Sequence, residues 1–217
     1  MATIQVHIPP IQFARHVNDE PALQAFFRDG GAGGLQSDVH LGAEWTMGEG
    51  RMEGGGMPFA GFLSRLLQHT SQEGAGRRIR TILDVHAARV DEVAAERFVQ
   101  DLRRFAPGLH PVVVSYAPEV VRALHAARVA HDVPMQVQLY LQEDDLKGHA
   151  QWQKRDALEL PVGIGYHLRL HAFTPGTRPT YDEAVAAGRH ITTTGWNPLY
   201  PGWRNIDLSE VWNLKRR

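Results

Sequence analysis

Two short stretches carry the residues most suited to chemistry. Gly33–Gly42 reads Gly-Gly-Leu-Gln-Ser-Asp-Val-His-Leu-Gly, and Arg80–Ala87 reads Arg-Thr-Ile-Leu-Asp-Val-His-Ala. Both have the apolar content of a buried strand, on which alternate side chains share a face. Gln36, Asp38 and His40 then lie on one face, with Leu35, Val39 and Leu41 on the other. Asp84 and His86 share a face in the second stretch. Polar groups in a row on a buried strand need partners, because burying them unpaired is costly. A carboxylate and an imidazole together at a strand end suit a divalent cation or acid–base work. One Asp-Val-His triplet alone reads better as a strand cap or a set of local hydrogen bonds. Two triplets, each closing an apolar strand, point to a functional site.

Around these strands the chain alternates. Ile11–Val17 reads as a strand ending in Ala-Arg-His-Val-Asn. Pro21–Asp29 reads as a helix with Leu23, Phe26 and Phe27 on its apolar face, stopped by the glycines of Gly30–Gly34. Phe59–Gln68 has helical apolar spacing in Phe59, Phe62, Leu63, Leu66 and Leu67. Asp91–Phe105 and Pro118–His131 are further helices, the second opened by proline. Pro111–Tyr116 and Met135–Leu141 are strands. Asp144–Leu158 is a polar helix, Val162–Phe173 is extended, Tyr181–Ala187 is a short helix and His190–Thr194 a last strand. The tail Gly195–Arg217 carries Trp196, Trp203 and Trp212. Irregular, glycine-rich Glu44–Met57 directly follows the first triplet. It is expected either as a lid or substrate wall with Trp45 turned toward the pocket, or as a tolerated insertion.

Strands alternating with helices imply right-handed βαβ units and a parallel sheet. Seven or eight such strands, with chemistry-bearing residues at their C-terminal ends, favour one (β/α)8 TIM-type barrel over residues 1–217. At 217 residues the chain is short for that fold, so the barrel is expected to be incomplete or distorted. On it, Tyr140, His167 and His171 are candidates for the mouth. Trp196, just past the last strand, is a candidate stacking wall, and Thr192–Thr194 a candidate phosphate contact. Each has a structural reading as well.

Composition narrows the function classes. The formal net charge of −1 gives no electrostatic case for nucleic-acid binding. The absence of cysteine excludes disulfides and thiol catalysis and fits a cytoplasmic location. No apolar run is long enough to span a bilayer, and the N-terminus lacks signal-peptide character. The expected partner is a small molecule.

The order of these motifs resembles the glycerophosphodiester phosphodiesterase superfamily, and within it the sphingomyelinase D, or venom-type phospholipase D, branch. Leu35-Gln36-Ser37-Asp38-Val39 stands where that branch has Ile-Glu-x-Asp-Val. Phe59-Ala60-Gly61-Phe62-Leu63 stands in place of its Phe-x-x-Phe-Leu helix. Leu83-Asp84-Val85-His86 replaces a strand ending in Asp-Leu-Lys. Glu183–Gly188 with Ile191–Thr194 is similar to its final helix and strand. The resemblance implies a TIM barrel that binds one Mg²⁺ through a Glu and two Asp, with two histidines acting as nucleophile and general acid/base on a phosphodiester. It places Asp38 and Asp84 as metal ligands, with neutral Gln36 at the third position, so Mg²⁺ or another divalent cation is expected to bind weakly or not at all. The histidine that should end the first strand is His16, one place late, or else Arg15 occupies its position. The loop Trp45–Glu49 lacks the second histidine. His40 or His86 is then the candidate to replace it.

Two functional readings stand at this stage. One is a phospholipase D-like phosphodiesterase using His16, His40, Asp38, Asp84 and His86, with Arg15, Trp45, Tyr140, His171 and Trp196 around the substrate. The other is a repurposed barrel: a cyclase or lyase on a small metabolite, with or without metal, or a non-catalytic binding protein.

Overall fold

The protein is described from a computed structural model, over residues 13–29, 34–48, 56–72, 79–141, 160–161, 163–169 and 189–194. The helices expected at Asp144–Leu158 and Tyr181–Ala187, the Gly195–Arg217 tail, His171 and Trp196 lie outside the described residues. The chain forms two compact units, one spanning 12–140 and the other combining 1–11 with 141–217.

The 12–140 unit alternates strands and helices: β1 (Phe13–Ala14), α1 (Glu20–Asp29), β2 (Gly34–Leu41), β3 (Trp45–Met47), α2 (Phe59–Gln72), β4 (Arg80–His86), α3 (Glu92–Phe105), β5 (Val112–Ser115), α4 (Pro118–Ala130) and β6 (Gln136–Leu141). The sheet order is β1-β2-β4-β5-β6, every pair parallel, with β3 antiparallel on β2. This is the arrangement that helical crossovers between parallel strands produce.

Strand register divides the sheet into two faces. Asp38 aligns with Asp84, Asp84 with Val114, and Val114 with Gln138. One step further along, His40 aligns with His86. One face therefore carries Gln36, Asp38 and His40 from β2, Ile82, Asp84 and His86 from β4, Val112 and Val114 from β5, and Gln136, Gln138 and Tyr140 from β6. The opposite face carries Leu35, Val39, Leu83, Val85, Val113, Val137 and Leu139, all buried.

The helices supply the apolar layer. Their inward positions are Leu23, Phe26 and Phe27 on α1, Phe59, Phe62, Leu63 and Leu66 on α2, Ala95, Phe98, Val99 and Leu102 on α3, and Val120, Val121, Leu124 and Ala127 on α4. The four helices pack in sequence order, α1 on α2, α2 on α3 and α3 on α4. Phe59 stacks on Phe98 at 4.6 Å between ring centroids. Polar ends fix the helix starts. Asp19 accepts from Ala22 N at 2.8 Å, Asp91 accepts from Ala94 N at 2.7 Å, and Pro118 sits in the first turn of α4.

The strand predicted over Ile11–Val17 ends earlier than expected: Phe13–Ala14 pair with β2, and the chain then leaves the ladder at His16, whose φ is 56°; Ile11 and Gln12 lie outside the described residues. The glycine-rich segment begins as a hairpin rather than an irregular loop, since Trp45–Met47 pair back on Val39–Leu41. Gly56 closes the return. A Cβ there would stand 1.7 Å from the Met47 carbonyl oxygen, so only glycine lets the two backbones approach. Residues 49–55 of this segment lie outside the described residues.

In the other unit, β7 (Ile164–Arg169) pairs in parallel with β8 (Ile191–Thr194). His167 Nδ1 lies 2.6 Å from Thr192 Oγ1, both residues buried. The Arg189 guanidinium donates to the carbonyls of Leu160, Pro161 and Ile164, tying the entry of β7 to that of β8. Among the described residues no helix is long and apolar enough to cross a membrane.

Candidate active site

The site is built at the C-terminal ends of β2 and β4, the end at which parallel sheets present functional groups. Its centre is the Asp38 carboxylate, 5 % exposed. Oδ2 lies 2.9 Å from His16 Nδ1 and accepts from Asn18 Nδ2 at 2.9 Å. Oδ1 lies 3.1 Å from His86 Nε2. One carboxylate thus joins two imidazoles, one from the β1–α1 connection and one from β4.

Local structure explains how His16 arrives. On a regular strand, a one-residue shift would turn it to the opposite face. The strand has already ended at Ala14, and the left-handed backbone at His16, a conformation histidine adopts more readily than most residues, redirects the chain. Beyond it the backbone rejoins β2 through Val17 N to Gln36 O at 3.1 Å, Ser37 Oγ to Val17 O at 2.6 Å and Asp38 N to Asn18 Oδ1 at 2.7 Å. His16, not Arg15, therefore meets Asp38; Arg15 is exposed and is not among the donors to that carboxylate.

Asp84 stands beside Asp38 on the next strand, buried, with Oδ2 3.8 Å from His86 Nε2. The two carboxyl groups are perturbed in opposite directions. Burial would raise Asp38, but hydrogen bonds from His86, Asn18 and His16 outweigh it and hold the group well below the usual carboxylate range. Burial dominates at Asp84 and, despite the opposing charge of His86, pushes it up to about 6. His40 stacks on His86 with ring centroids 4.7 Å apart; burial and then the charge of His86 lower its pKa.

A divalent cation suits these residues. Asp38, Asp84 and His86 each offer a ligand atom, all within 4.8 Å of one another. The Asp84 Oδ1 atom is buried and has no hydrogen-bond partner among the described residues. A buried carboxylate oxygen without a partner, next to a second carboxylate, calls for a cation or a proton. The imidazole joins the two aspartates in this grouping, and half-buried Gln36 lies on the same sheet face two residues before Asp38.

The other expected residues divide. Tyr140 is on the site face, but it is buried in an apolar cluster with Ile82, Val112 and Val114, and its ring lies 4.2 Å from that of Tyr116. Trp45 does not turn toward the site. Its indole donates to Ala94 O at 2.8 Å and packs edge-on against Phe98, because the short β3 pairing directs it into the α2–α3 layer. Sequence reasoning missed Asn18. The available signal was its place just before the Asp19 cap of α1, where a chain crossing from β1 passes the end of β2.

No protein-family model matches the sequence, and no curated protein matches it. Solved structures do. A phosphodiesterase of Oleispira antarctica in complex with the product sn-glycerol-3-phosphate is similar with a TM-score of 0.57 at 11% identity, covering 96% of this chain and 98% of that one. A calcium-dependent phosphoinositol-specific phospholipase C from a Gram-negative Pseudomonas sp. is similar with a TM-score of 0.55 at 12% identity, covering 85% of this chain and 81% of that one. A second crystal form of the phospholipase gives 0.56 at 12% identity, with 87% and 84% covered. At these identities the likeness is one of fold, that of an incomplete TIM-type barrel.

Proposed function

We propose that the chain is a phosphodiesterase acting on a small phosphodiester, with a divalent cation held by Asp38, Asp84 and His86. The observation that carries this reading is the single carboxylate of Asp38, shared by His16 and His86, with Asp84 on the same rung of the neighbouring strand. A cation bound there would neutralise phosphoryl oxygens, as divalent ions do in phosphoryl transfer. The chain's own residues handle the proton. With Nδ1 tied to Asp38, His16 exchanges protons through Nε2. It takes the proton of the attacking hydroxyl as that oxygen bonds to phosphorus, and gives a proton to the leaving oxygen as the separate bond between phosphorus and the leaving oxygen breaks. Asp38 holds the ring in one orientation. Water as the attacking group gives a hydrolase; an internal hydroxyl of the substrate gives a cyclic phosphate and a lyase.

One observation favours a second reading. Both Asp38 oxygens already take hydrogen bonds, from His16, Asn18 and His86. The same His16–Asp38–His86 chain suits cation-independent acid–base chemistry on a small metabolite. The deciding experiment is turnover of glycerol-, choline- and inositol-headed phosphodiesters with Mg²⁺, with Ca²⁺ and with chelator. Cleavage abolished by chelator supports the first reading. Cleavage that survives chelator supports phosphodiester chemistry without a cation. No cleavage in any condition, by the wild type or by Gln36→Glu, overturns the phosphodiesterase.

A further inference from the structure

Asn18 makes two hydrogen bonds to one residue. Its carboxamide oxygen accepts from the main-chain N–H of Asp38 at 2.7 Å, and its amide nitrogen donates to Asp38 Oδ2 at 2.9 Å. The first bond takes the place of a strand-ladder bond after β1 has ended, so it is structural in kind. The second is not needed by any ladder: it grips the carboxylate itself. Since a carboxylate turns freely about its last bond, a fixed donor on Oδ2 decides which oxygen faces His16 and which faces His86. Oδ2 is shared by Asn18 and His16, and Oδ1 is left to His86. Asn18 also reaches Asp38 through a backbone fixed at both ends, by Val17 N on Gln36 O and by Asp19 capping α1. Its amide is thus anchored as a rigid reference for a buried charge.

From this geometry we infer that Asn18 is a positioning residue: its amide fixes the Asp38 carboxylate so that His16 is held with Nδ1 protonated and Nε2 presented for proton transfer. The kinetic consequence rests on the phosphodiesterase reading; the effect on the His16 ring does not. Asp38 is satisfied by three donors, and removing one leaves an oxygen that can rotate to find another.

Two variants separate this role from a structural one. Asn18→Asp keeps an acceptor for the Asp38 N–H but replaces the donor at Oδ2 with an oxygen that repels it. Asn18→Ala removes both bonds. The probe is the nitrogen-15 spectrum of the histidine rings in the cation-free full chain, which distinguishes the two neutral tautomers; free histidine favours Nε2–H. The wild type is expected to show His16 as Nδ1–H, and both variants to show a shift toward Nε2–H. In the activity assay kcat is expected to fall about 10- to 100-fold in both, with KM nearly unchanged, as for other groups that orient a reacting side chain. A wild-type tautomer retained in Asn18→Asp overturns the inference, as does a wild-type His16 that is not Nδ1–H. Loss of the fold in both variants also overturns it, since the contact would then be structural. If the wild type cleaves no phosphodiester, the proposed function fails while the tautomer measurement still decides the role of Asn18.

Discussion

Asp38 and Asp84 face the same way from aligned positions of two paired parallel strands, yet one is held ionised and the other is driven toward its neutral form. The difference is one of donors. Asp38 receives three hydrogen bonds. Asp84 has a buried Oδ1 with no partner among the described residues, and only a 3.8 Å approach to His86. Two titratable groups pushed apart by their surroundings are a recurrent basis for assigning separate roles.

Stability should therefore fall as pH rises from about 4 to about 6 in the cation-free protein. Asp84, pushed up to about 6, binds its proton more tightly folded than unfolded. Below the unfolded value near 3.8 the group costs nothing; above about 6 the full cost of ionising it in the fold is present. The rise from 3.8 to about 6 corresponds to about 3 kcal/mol. Asp38 is shifted the other way, and its contribution is lost only as pH falls below 3.8, outside this window. Urea unfolding at pH 4 and pH 7, the lower end of that window and a point above its upper end, checks this. Asp84→Asn should remove the share of the difference that Asp84 contributes, and saturating Ca²⁺ or Mg²⁺ should restore the wild type at the higher pH. An Asp84→Asn variant as pH-sensitive as the wild type would refute the assignment.

Trp45 should matter to stability rather than to substrate. Trp45→Phe removes the donor to Ala94 O but keeps a ring against Phe98. The expected loss is about 1 kcal/mol, the value of one net hydrogen bond, read in thermal unfolding. KM should stay at the wild-type value; a raised KM with unchanged stability would return Trp45 to the substrate wall.

Much of the site was legible because strand alternation is a short-range rule. Placing Gln36, Asp38 and His40 on one face needed only β2 itself, and the matching Asp84–His86 pair needed only β4. What joins them was not legible. His16 reaches Asp38 through a break in β1 and one left-handed residue, and neither has a pattern in the apolar spacing. Asn18 is chosen by its distance from Asp38, 20 positions away in sequence. Trp45 could not be oriented because β3 is only three residues long and its direction is set by pairing with β2. Helix positions were read from periodicity, but α2 runs on to Gln72, beyond the predicted end at Gln68, where polar residues hide the last turn.

Asp38→Asn should abolish turnover while leaving a folded chain. The amide keeps the shape, and the bond that the main-chain N–H of residue 38 donates to Asn18 Oδ1 does not depend on the side chain replaced. It withdraws the negative charge from His16 and His86 and can accept on only one atom, leaving a buried donor poorly satisfied at a cost of about 1–3 kcal/mol. Activity and urea unfolding measured on one preparation separate the two effects. Substantial activity in a stable Asp38→Asn protein would show that His16 does not depend on this carboxylate.

Cation affinity should respond to Gln36, two residues before Asp38 on its face of β2. Asp38 and Asp84 carry the local negative charge, and a hard cation gains most from carboxylate oxygens. Gln36→Glu adds one, and calorimetric titration with Ca²⁺ and Mg²⁺ should show tighter binding of both. The gain should be larger for Ca²⁺, which accepts more oxygen ligands in less regular geometry than Mg²⁺. The added charge also opposes ionisation of Asp84, so the cation-free variant should lose stability on raising pH more steeply than the wild type. Binding unchanged by Gln36→Glu, yet lost in Asp84→Asn and in His86→Ala, would restrict the cation to the three residues already grouped within 4.8 Å and exclude position 36 from its coordination.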